Sequence, residues 1–206
     1  MSGLQDSWSA FSPEIASRFL NAYGYPSATA LSLLGQVFTR YASGITNPRV
    51  LLISDALTLG LFFEEKGLSC VHTGVDFSQS LLDGATARLN HATFVRDDVE
   101  VLSKVVGQFD IAFISRVLDR SPAPEDSLMA AAKLAKVLVI RFFAPPEFDR
   151  DTVELCWMAG ADGREVPYIL RQISRDYYHL ILARIGCKQV DVFIDRNGDQ
   201  IHVLVF

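Results

Sequence analysis

The stretch QVDVFIDRNGDQIHVLVF, residues 189–206, decides the fold predicted for the whole chain. Each half of it alternates apolar and polar residues, which is the period of a β-strand with one buried face. The segment between the halves contains Asn197-Gly198, the residue pair favoured in tight hairpin turns. The sequence therefore predicts an antiparallel hairpin here.

Upstream of this hairpin, apolar runs of strand length alternate with segments of helical periodicity. Such alternation is typical of parallel strands joined by crossover helices. Ser78 is placed to cap one helix that runs through about Leu89, and Ser174 to cap another that ends at Gly186. We therefore predict an α/β, Rossmann-like fold, with a seven-stranded, mostly parallel sheet, a C-terminal antiparallel hairpin and helices on both faces. The expected parallel strands are RVLLI (49–53), CVHTGVD (70–76), TFVRDD (93–98), FDIAFIS (109–115) and KVLVIRFF (136–143).

Length and composition limit the classes of function. The chain has 206 residues, half of them hydrophobic, and a formal net charge of −5. An acidic balance without a lysine- or arginine-rich run argues against nucleic-acid binding. No apolar run reaches about 18 residues and no signal-peptide layout is visible, so we expect a cytoplasmic protein with no membrane span. The cysteines Cys70, Cys156 and Cys187 are far apart and are expected to be free thiols.

Two regions lie outside the alternation of strands and helices. Residues 1–47 have helical patterns, and we expect them to form a cap or lid on a domain that spans 48–206. The segment 144–173 is long for a connection, so we expect it to be a cover insertion on the substrate side. The alternatives are a packing layer for the first region and a helical cover over the sheet edge for the second.

The order of these elements resembles the class I S-adenosylmethionine-dependent methyltransferase family, and the resemblance covers most of the chain. RVLLISDALTLG stands where that family has its glycine-rich first motif, which implies cofactor contacts from Ser54, Asp55 and Ala56. The family's glycines are absent, and Leu52 replaces its usual acidic residue. Ser54 and Ala56 are small enough to let the backbone approach a ligand. We expect Asp55 to meet the methionine ammonium, and its alternative role is a helix cap.

Asp76 is the residue that the resemblance assigns to the ribose. It ends the second strand in HTGVDFS, where the family's carboxylate accepts hydrogen bonds from both ribose hydroxyls. Phe77 follows, where a side chain packs on the adenine. A carboxylate at the end of the second parallel strand suits the ribose role on chemical grounds as well. The alternatives are a charge at a helix N-terminus for Asp76 and an apolar staple for Phe77.

The third and fourth strands provide the other cofactor candidates. FVRDDVE resembles the segment whose aspartate meets the adenine amino group, which implicates Asp98 and Val99. FDIAFISRVLDR resembles the segment that lines the methionine end, which implicates Ser115 and Arg116. Adjacent carboxylates such as those of Asp97 and Asp98 are otherwise typical of a solvated loop.

The resemblance implies methyl transfer from S-adenosylmethionine to a small-molecule acceptor, with S-adenosylhomocysteine (SAH) as the product. The acidic charge balance favours such an acceptor over RNA or DNA. The chain's histidines have no ligand spacing, so we expect no metal site. The candidates for contact with the substrate are Tyr23, Trp157, Tyr168, Arg171 and His179.

Two other functions fit parts of the pattern. A dinucleotide-dependent oxidoreductase uses a similar strand, loop and helix, but its G-x-G-x-x-G turn is absent here. A non-catalytic methyltransferase-like protein that serves as a partner subunit or binding module needs no intact cofactor loop. Binding of S-adenosylmethionine or SAH distinguishes an enzyme from such a protein.

Overall fold

The structure, a computed structural model, describes residues 28–142, 144–159 and 165–206. Within these ranges the chain forms a large sheet and a small one. The large sheet consists of β1 (Arg49–Ile53), β2 (Val71–Asp76), β3 (Thr93–Arg96), β4 (Phe109–Ser115), β5 (Ala135–Phe142), β8 (Gln189–Ile194) and β9 (Gln200–Val205), and the small one of β6 (Thr152–Ala159) and β7 (Glu165–Gln172).

The large sheet has seven strands in the order β3-β2-β1-β4-β5-β9-β8. Strands β1 to β5 pair in parallel with one another. Strand β9 runs antiparallel to both β5 and β8. The predicted mostly parallel sheet with a C-terminal hairpin is therefore confirmed. Its order reverses direction between β1 and β4, and ligands of open α/β sheets bind in the crevice at such a point.

The turn between β8 and β9 differs from the expected tight turn. The Asp195 N–H donates to the Asp199 carbonyl at 3.0 Å, and the Gly198 N–H donates to the Asp195 carbonyl at 3.1 Å. Gly198 has a φ of +84°, whereas Asn197 is not left-handed. A two-residue turn of the type that Asn-Gly favours needs positive φ at both positions. The chain instead makes a longer loop that ends in a left-handed glycine.

Helices cover both faces of the sheet, as predicted. One face packs under α1 and α2 through residues such as Phe38 and Phe63, and the other under α4 and α5 through Leu128 and Ile181. The helices are α1 (Ala28–Tyr41), α2 (Ala56–Glu65), α3 (Gln79–Thr86), α4 (Pro124–Leu134) and α5 (Arg175–Arg184), with a short 3-10 helix at Leu118–Arg120.

The connection from β3 to β4 is a loop and not a helix. Its buried Asp97 accepts hydrogen bonds from the backbone N–H groups of Asp98 at 2.9 Å and Lys104 at 2.6 Å. The Ser103 hydroxyl approaches the same carboxylate at 3.4 Å. Because one side chain satisfies several backbone donors, the loop is held without regular structure.

The segment 144–173 contains the antiparallel hairpin β6–β7, so its described residues form strands and not a helical cover. Strand β7 packs against the 3-10 helix that follows β4. The Arg120 guanidinium lies 5.8 Å from the centre of the Tyr168 ring, and an Arg171 N–H donates to the Pro122 carbonyl at 2.9 Å. These contacts place the hairpin beside the carboxyl end of β4. Its role as a substrate cover stays a prediction.

The region 1–47 is described from Ala28 onward. Helix α1 is tied to the C-terminal hairpin, where the Thr29 hydroxyl donates to the Asp195 carboxylate at 2.9 Å and the Tyr41 hydroxyl bonds to Asp191. The earlier part of the expected lid lies outside the described residues. Among the residues that the structure describes, no helix is long and apolar enough to cross a bilayer.

Candidate functional site

The turn after β1 holds a serine in a conformation that usually belongs to glycine. Ser54 has a φ of +73°, and its N–H donates to the Val75 carbonyl at 2.8 Å. Left-handed backbone costs a residue with a side chain about 1–2 kcal/mol. A side chain at Gly74 would lie 2.6 Å from the Ala56 Cβ, so the first turn of α2 sits close against β2. The turn therefore follows a tight path although its glycines are missing.

Asp55, the next residue, turns its carboxyl group into the protein. It is 6% exposed, and its Oδ2 has no hydrogen-bond partner among the described residues. The side chain makes no capping hydrogen bond to α2. Burial raises the pKa of Asp55 to about 6, although the nearby hydroxyls of Thr58 and Ser115 and the charges of Arg141 and Arg116 act in the opposite direction. The side chain of Asp55 therefore does not cap α2, and its contact with a ligand stays a prediction.

Asp76 lies at the end of the neighbouring strand β2 and is 3% exposed. Its Oδ1 accepts a hydrogen bond from the Ser78 N–H at 2.8 Å. Burial raises the pKa of Asp76 to about 7, the negative charge of Asp55 raises it further, and the backbone N–H groups of Ser78 and Phe77 oppose the rise. Two buried carboxylates therefore stand at adjacent strand ends, and at both the effect of burial on the pKa exceeds that of the donors.

The adenine candidates lie at the ends of β2 and β3, on the same sheet edge. Phe77 is half-buried, and its carbonyl accepts a hydrogen bond from the Arg96 Nε at 3.0 Å. The Asp98 carboxylate accepts from a backbone N–H two residues later at 2.9 Å. Val99 packs against the core. Contact between these residues and an adenine stays a prediction.

Ser115 ends β4 and stands opposite Arg141 of β5 in the sheet register. It is buried, and its Oγ lies outside hydrogen-bond geometry with the described residues, although the hydroxyl is close enough to lower the pKa of Asp55. Arg116 follows with a φ of +55°, and its N–H donates to the Arg141 carbonyl at 2.9 Å. Burial lowers the pKa of Arg116, and the charge of Arg141 adds to this effect.

Two charged residues of this region were not predicted from the sequence. Arg141 is 2% exposed, and its Nε and Nη2 donate to one oxygen of Asp199 at 3.1 and 2.5 Å. Asp119 is 1% exposed, neither of its carboxylate oxygens has a hydrogen-bond partner among the described residues, and burial raises its pKa. The available signal was a single arginine inside the apolar run KVLVIRFF, because a charge in such a run needs a partner.

The substrate candidates are dispersed. Tyr168 lies next to Arg120, and Arg171 forms an ion pair with Asp151 at 2.5 Å. Trp157 on β6 is 55% exposed, and His179 lies exposed on α5. Tyr23 lies outside the described residues. The structure thus brings Tyr168 beside the charged groups at the end of β4, and the roles of all five residues toward an acceptor stay predictions.

A pocket of about 320 Å³ lies near the amino end of β2, at the end of the strand opposite to Asp76. Its lining includes Cys70, His72 and His91. His91 pairs with Glu64 at 2.7 Å. Burial lowers the pKa of His72. In the described ranges, no group of His, Cys, Asp or Glu is arranged to hold a metal ion. This pocket shares none of the predicted cofactor residues.

No protein-family model matches the chain, and no curated protein sequence does. Solved structures match along almost its whole length. The DhpI-SAM-HEP complex has a TM-score of 0.70 and 16% identity, covering 99% of this chain and 98% of DhpI. SAM-bound CalS10, an amino pentose methyltransferase from Micromonospora echinaspora involved in calicheamicin biosynthesis, has a TM-score of 0.65 and 15% identity, with 95% and 97% covered.

The sugar N-methyltransferase KedS8 from Streptoalloteichus sp ATCC 53650 is similar to the same degree, with a TM-score of 0.65, 16% identity, and 93% and 92% of the two chains covered. At such low sequence identity, structural similarity is evidence of a shared fold and not of a shared activity. Together with the strand order and the antiparallel β9, they show that this chain has the fold of the class I S-adenosylmethionine-dependent methyltransferases.

Proposed function

We propose that this protein transfers the methyl group of S-adenosylmethionine to a small-molecule acceptor. The observation that supports this most directly is the pair Asp55 and Asp76, two buried carboxylates at neighbouring strand ends beside the left-handed Ser54. Carboxylates short of donors suit a ligand that brings ammonium and hydroxyl groups, and this cofactor carries both. The similar proteins DhpI and CalS10 were solved with SAM, which agrees with this assignment.

The residues present fit the cofactor. The orphaned Oδ2 of Asp55 offers an acceptor to the methionine ammonium. Asp76 has a carboxylate at the position suited to the ribose hydroxyls. The tight turn at Ser54 lets the backbone approach a ligand. The remaining cofactor contacts are assigned to Ala56, Phe77, Asp98, Val99, Ser115 and Arg116.

The chain contributes positioning more than covalent chemistry. When bound, S-adenosylmethionine supplies an activated methyl group. Alignment of the two reactants supplies much of the rate in a reaction of this kind. Asp55 and Asp76 would hold the ammonium and the ribose of the cofactor and so fix its orientation. We assign the acceptor side of the site to the hairpin β6–β7, because its second strand packs against the 3-10 helix after β4.

Calorimetric titration with SAH tests the proposal. We expect a single site on the unmodified protein with binding detectable below about 1 mM ligand. NAD⁺ titrated under the same conditions should give no binding. The control variant is Asp110→Asn, which should bind SAH as the parent protein does. Asp110 lies at the amino end of β4, away from the crevice.

Two outcomes contradict the proposal. Binding of NAD⁺ without SAH would favour the oxidoreductase alternative. If neither ligand binds a folded sample, the non-catalytic alternative becomes the better account. Mass spectrometry of material that co-purifies with the protein gives an independent check, and we expect SAH or S-adenosylmethionine there.

A further inference from the structure

A series of side-chain hydrogen bonds runs from α5 through β9 to the segment that follows β5. The His202 Nδ1 lies 3.1 Å from the Tyr178 hydroxyl, and the His202 Nε2 lies 3.0 Å from the Gln200 Oε1. The Gln200 Nε2 donates to the Glu147 carboxylate at 2.5 Å. Tyr178, His202 and Gln200 are buried, whereas Glu147 is exposed. We call these four residues the hydrogen-bond chain.

The partners fix the direction of every hydrogen bond in this chain. An ionised carboxylate only accepts, so the amide nitrogen of Gln200 faces Glu147 and its carbonyl oxygen faces His202. The His202 Nε2 must therefore carry the hydrogen, which leaves a lone pair on Nδ1 of the neutral ring. The Tyr178 hydroxyl donates to that lone pair. His202 is thus neutral, with its proton on Nε2.

The surroundings of the imidazole favour this neutral form. The Phe142 ring packs edge-on, with its centre 4.9 Å from that of His202 and 5.5 Å from that of Tyr178. Burial lowers the pKa of His202 to about 4, although the charge of Glu147 acts in the opposite direction. Burial raises the pKa of Tyr178, so its hydroxyl keeps the proton that it donates. A cationic His202 would take the acceptor away from this buried hydroxyl, which is costly.

The outer end of the chain lies at the neck of the hairpin β6–β7. We use this name for Glu147, Phe148, Ser174 and Arg175, where the two ends of the segment that contains the hairpin meet. Phe148 forms a parallel bridge with Ser174, and its carbonyl accepts from the Arg175 N–H at 2.9 Å. The Arg175 Nη2 donates to the Glu147 carbonyl at 3.3 Å. Strand β6 begins shortly after Phe148 and β7 ends shortly before Ser174, so the hairpin leaves the domain at this neck.

Gln200 connects the neck to the edge of the sheet that carries the proposed cofactor site. It lies opposite Phe142 in the register of β9 and β5, at the carboxyl end of β5. The hydrogen-bond chain therefore ties the base of the hairpin, which we assign to the acceptor side, to this edge. Because the proposed reaction depends on the alignment of two reactants, a displaced hairpin would lower its rate.

We propose that Gln200 and His202 are positioning residues, which hold Glu147 and so set the place of the hairpin β6–β7 at the acceptor side. The inference rests on the proposed function and adds residues that need not touch either reactant. Tyr178 is the buried end of the hydrogen-bond chain. The neutral Nε2–H form of His202 is required, because it offers a donor to Gln200 and an acceptor to Tyr178 at the same time.

NMR of the imidazole nitrogens in ¹⁵N-labelled protein at pH 7 gives the first test. We expect His202 of the parent in the Nε2–H form. Glu147→Ala removes the acceptor of the Gln200 amide, which can then turn over, so a population of the Nδ1–H form should appear. Glu147→Gln keeps an acceptor and should keep the tautomer of the parent. A histidine that only fills space in the core would not respond to a change at the exposed Glu147.

Hydrogen exchange measured by mass spectrometry gives the second test. In Glu147→Ala the amides of the neck and of β6 should exchange about tenfold faster than in the parent, the effect of losing one hydrogen bond to a charged group. Gln200→Glu sets two carboxylates against each other and should have the same effect on exchange, but it should keep His202 in the Nε2–H form. Glu147→Gln should stay within about twofold of the parent.

Asp149→Ala is the matched control, because Asp149 is an exposed carboxylate in the same segment. It should change neither the tautomer of His202 nor the exchange of β6. Near-ultraviolet circular dichroism checks that each variant is folded. SAH affinity should change less than twofold in all variants, since the chain serves the acceptor side and not the cofactor.

Four results overturn this inference. If Glu147→Ala leaves the tautomer and the exchange of β6 unchanged, the chain does not hold the hairpin, and the proposed function still stands. If Glu147→Gln or Asp149→Ala speeds exchange as much as Glu147→Ala, the effect belongs to charge and not to the chain. If SAH affinity falls together with protection from exchange, the chain serves the cofactor instead. If the parent binds no SAH, the role toward an acceptor fails with the proposed function, whatever the tautomer.

Discussion

Carboxylates at the two ends of the parallel strands differ in their hydrogen-bond partners and in the direction in which their pKa is shifted. At the amino end, Asp110 accepts hydrogen bonds from Lys136 at 2.7 Å and from the Arg49 N–H at 3.0 Å, and the Lys136 hydrogen bond is the main reason that its pKa is lowered. At the carboxyl end, burial raises the pKa of Asp55 and Asp76. Asp110 is paired with a lysine, Asp76 has only backbone N–H partners, and Asp55 has a carboxylate oxygen without a hydrogen-bond partner among the described residues.

This difference separates structural acids from ligand-facing ones. A buried polar group without a partner costs about 1–3 kcal/mol, so evolution removes it unless it has a use. The loop acid Asp97, which follows β3 at the same carboxyl end, is well supplied with backbone donors and so resembles Asp110 more than Asp55. Position at the carboxyl end of the strands alone therefore does not identify a cofactor residue, and the assignment of Asp55 rests also on its oxygen that has no partner in the part of the chain that the structure describes.

The largest expected effect is on Asp76. Asp76→Ala removes the acceptor proposed for the ribose, and it should weaken SAH binding by about 1.5–3 kcal/mol, the range for hydrogen bonds to a charged group. Isothermal calorimetry measures the change, and near-ultraviolet circular dichroism checks folding. Equal affinity in variant and parent, with both folded, would remove this residue from the site.

Asp55→Asn sharpens the comparison because it should move affinity and stability in opposite directions. SAH binding should fall about tenfold, since the ammonium loses a charged partner. In the folded protein the pKa of Asp55 is about 6, above its ordinary value of 3.8. Ionisation of this group therefore lowers the stability of the fold as the pH rises from 3.8 to about 6. The variant should therefore be more stable than the parent by about 1–3 kcal/mol at pH 8.

Denaturant unfolding at pH 8 and pH 5, without ligand, checks this stability change. The gain should shrink at pH 5, where the parent's carboxyl group is mostly protonated. A variant less stable than the parent at pH 8 would show that Asp55 is a structural acid after all.

The pH dependence of binding is the third test. A ligand that donates to Asp55 and Asp76 favours their ionised forms, whose pKa values are about 6 and about 7 without ligand. SAH affinity should fall about tenfold between pH 8 and pH 6, and binding near pH 6.5 should release protons. Calorimetry in two buffers of different ionisation enthalpy measures that release. Affinity independent of pH over this range contradicts the assignment of both acids.

The smallest effect is expected at the amino end. Asp110→Ala removes a largely exposed pairing with Lys136 and one backbone hydrogen bond, so it should lower the free energy of unfolding by about 0.5–1 kcal/mol. SAH affinity should not change. A loss of affinity comparable to that of Asp76→Ala would show that acids at the amino and carboxyl ends of the strands do not differ in their effect on binding.

Much of the fold was predictable because its signals are local. Apolar runs of strand length, separated by helical patterns, specify the parallel strands, and the alternation in 189–206 specifies the hairpin. The loop type at Asn197-Gly198 was not predictable, because the Asp195 side chain bonds the N–H groups of Asn197 and Asp199 and stabilises a longer loop. The turn preference of the pair Asn197-Gly198 does not take the hydrogen bonds of the Asp195 side chain into account.

The strand pattern in 144–173 was also missed, because the two strands form their own sheet and alternate less clearly. Strand β6 exposes Val153, Leu155 and Trp157 on one side, and these apolar residues resemble a buried pattern in the sequence. The 3-10 helix after β4, against which β7 packs, is distant in sequence. Periodicity alone does not report such a contact.

By itself, the sequence determined the class of the fold, the place of Asp55 after the first strand and the place of Asp76 at the end of the second. Only the tertiary structure decided that both acids are buried, that one oxygen of Asp55 has no partner among the described residues, and that Arg141 from β5 meets residues of β4 and Asp199 of the hairpin. The physical reason is that strand periodicity is a property of neighbouring residues, whereas desolvation and charge balance depend on groups far apart in the chain.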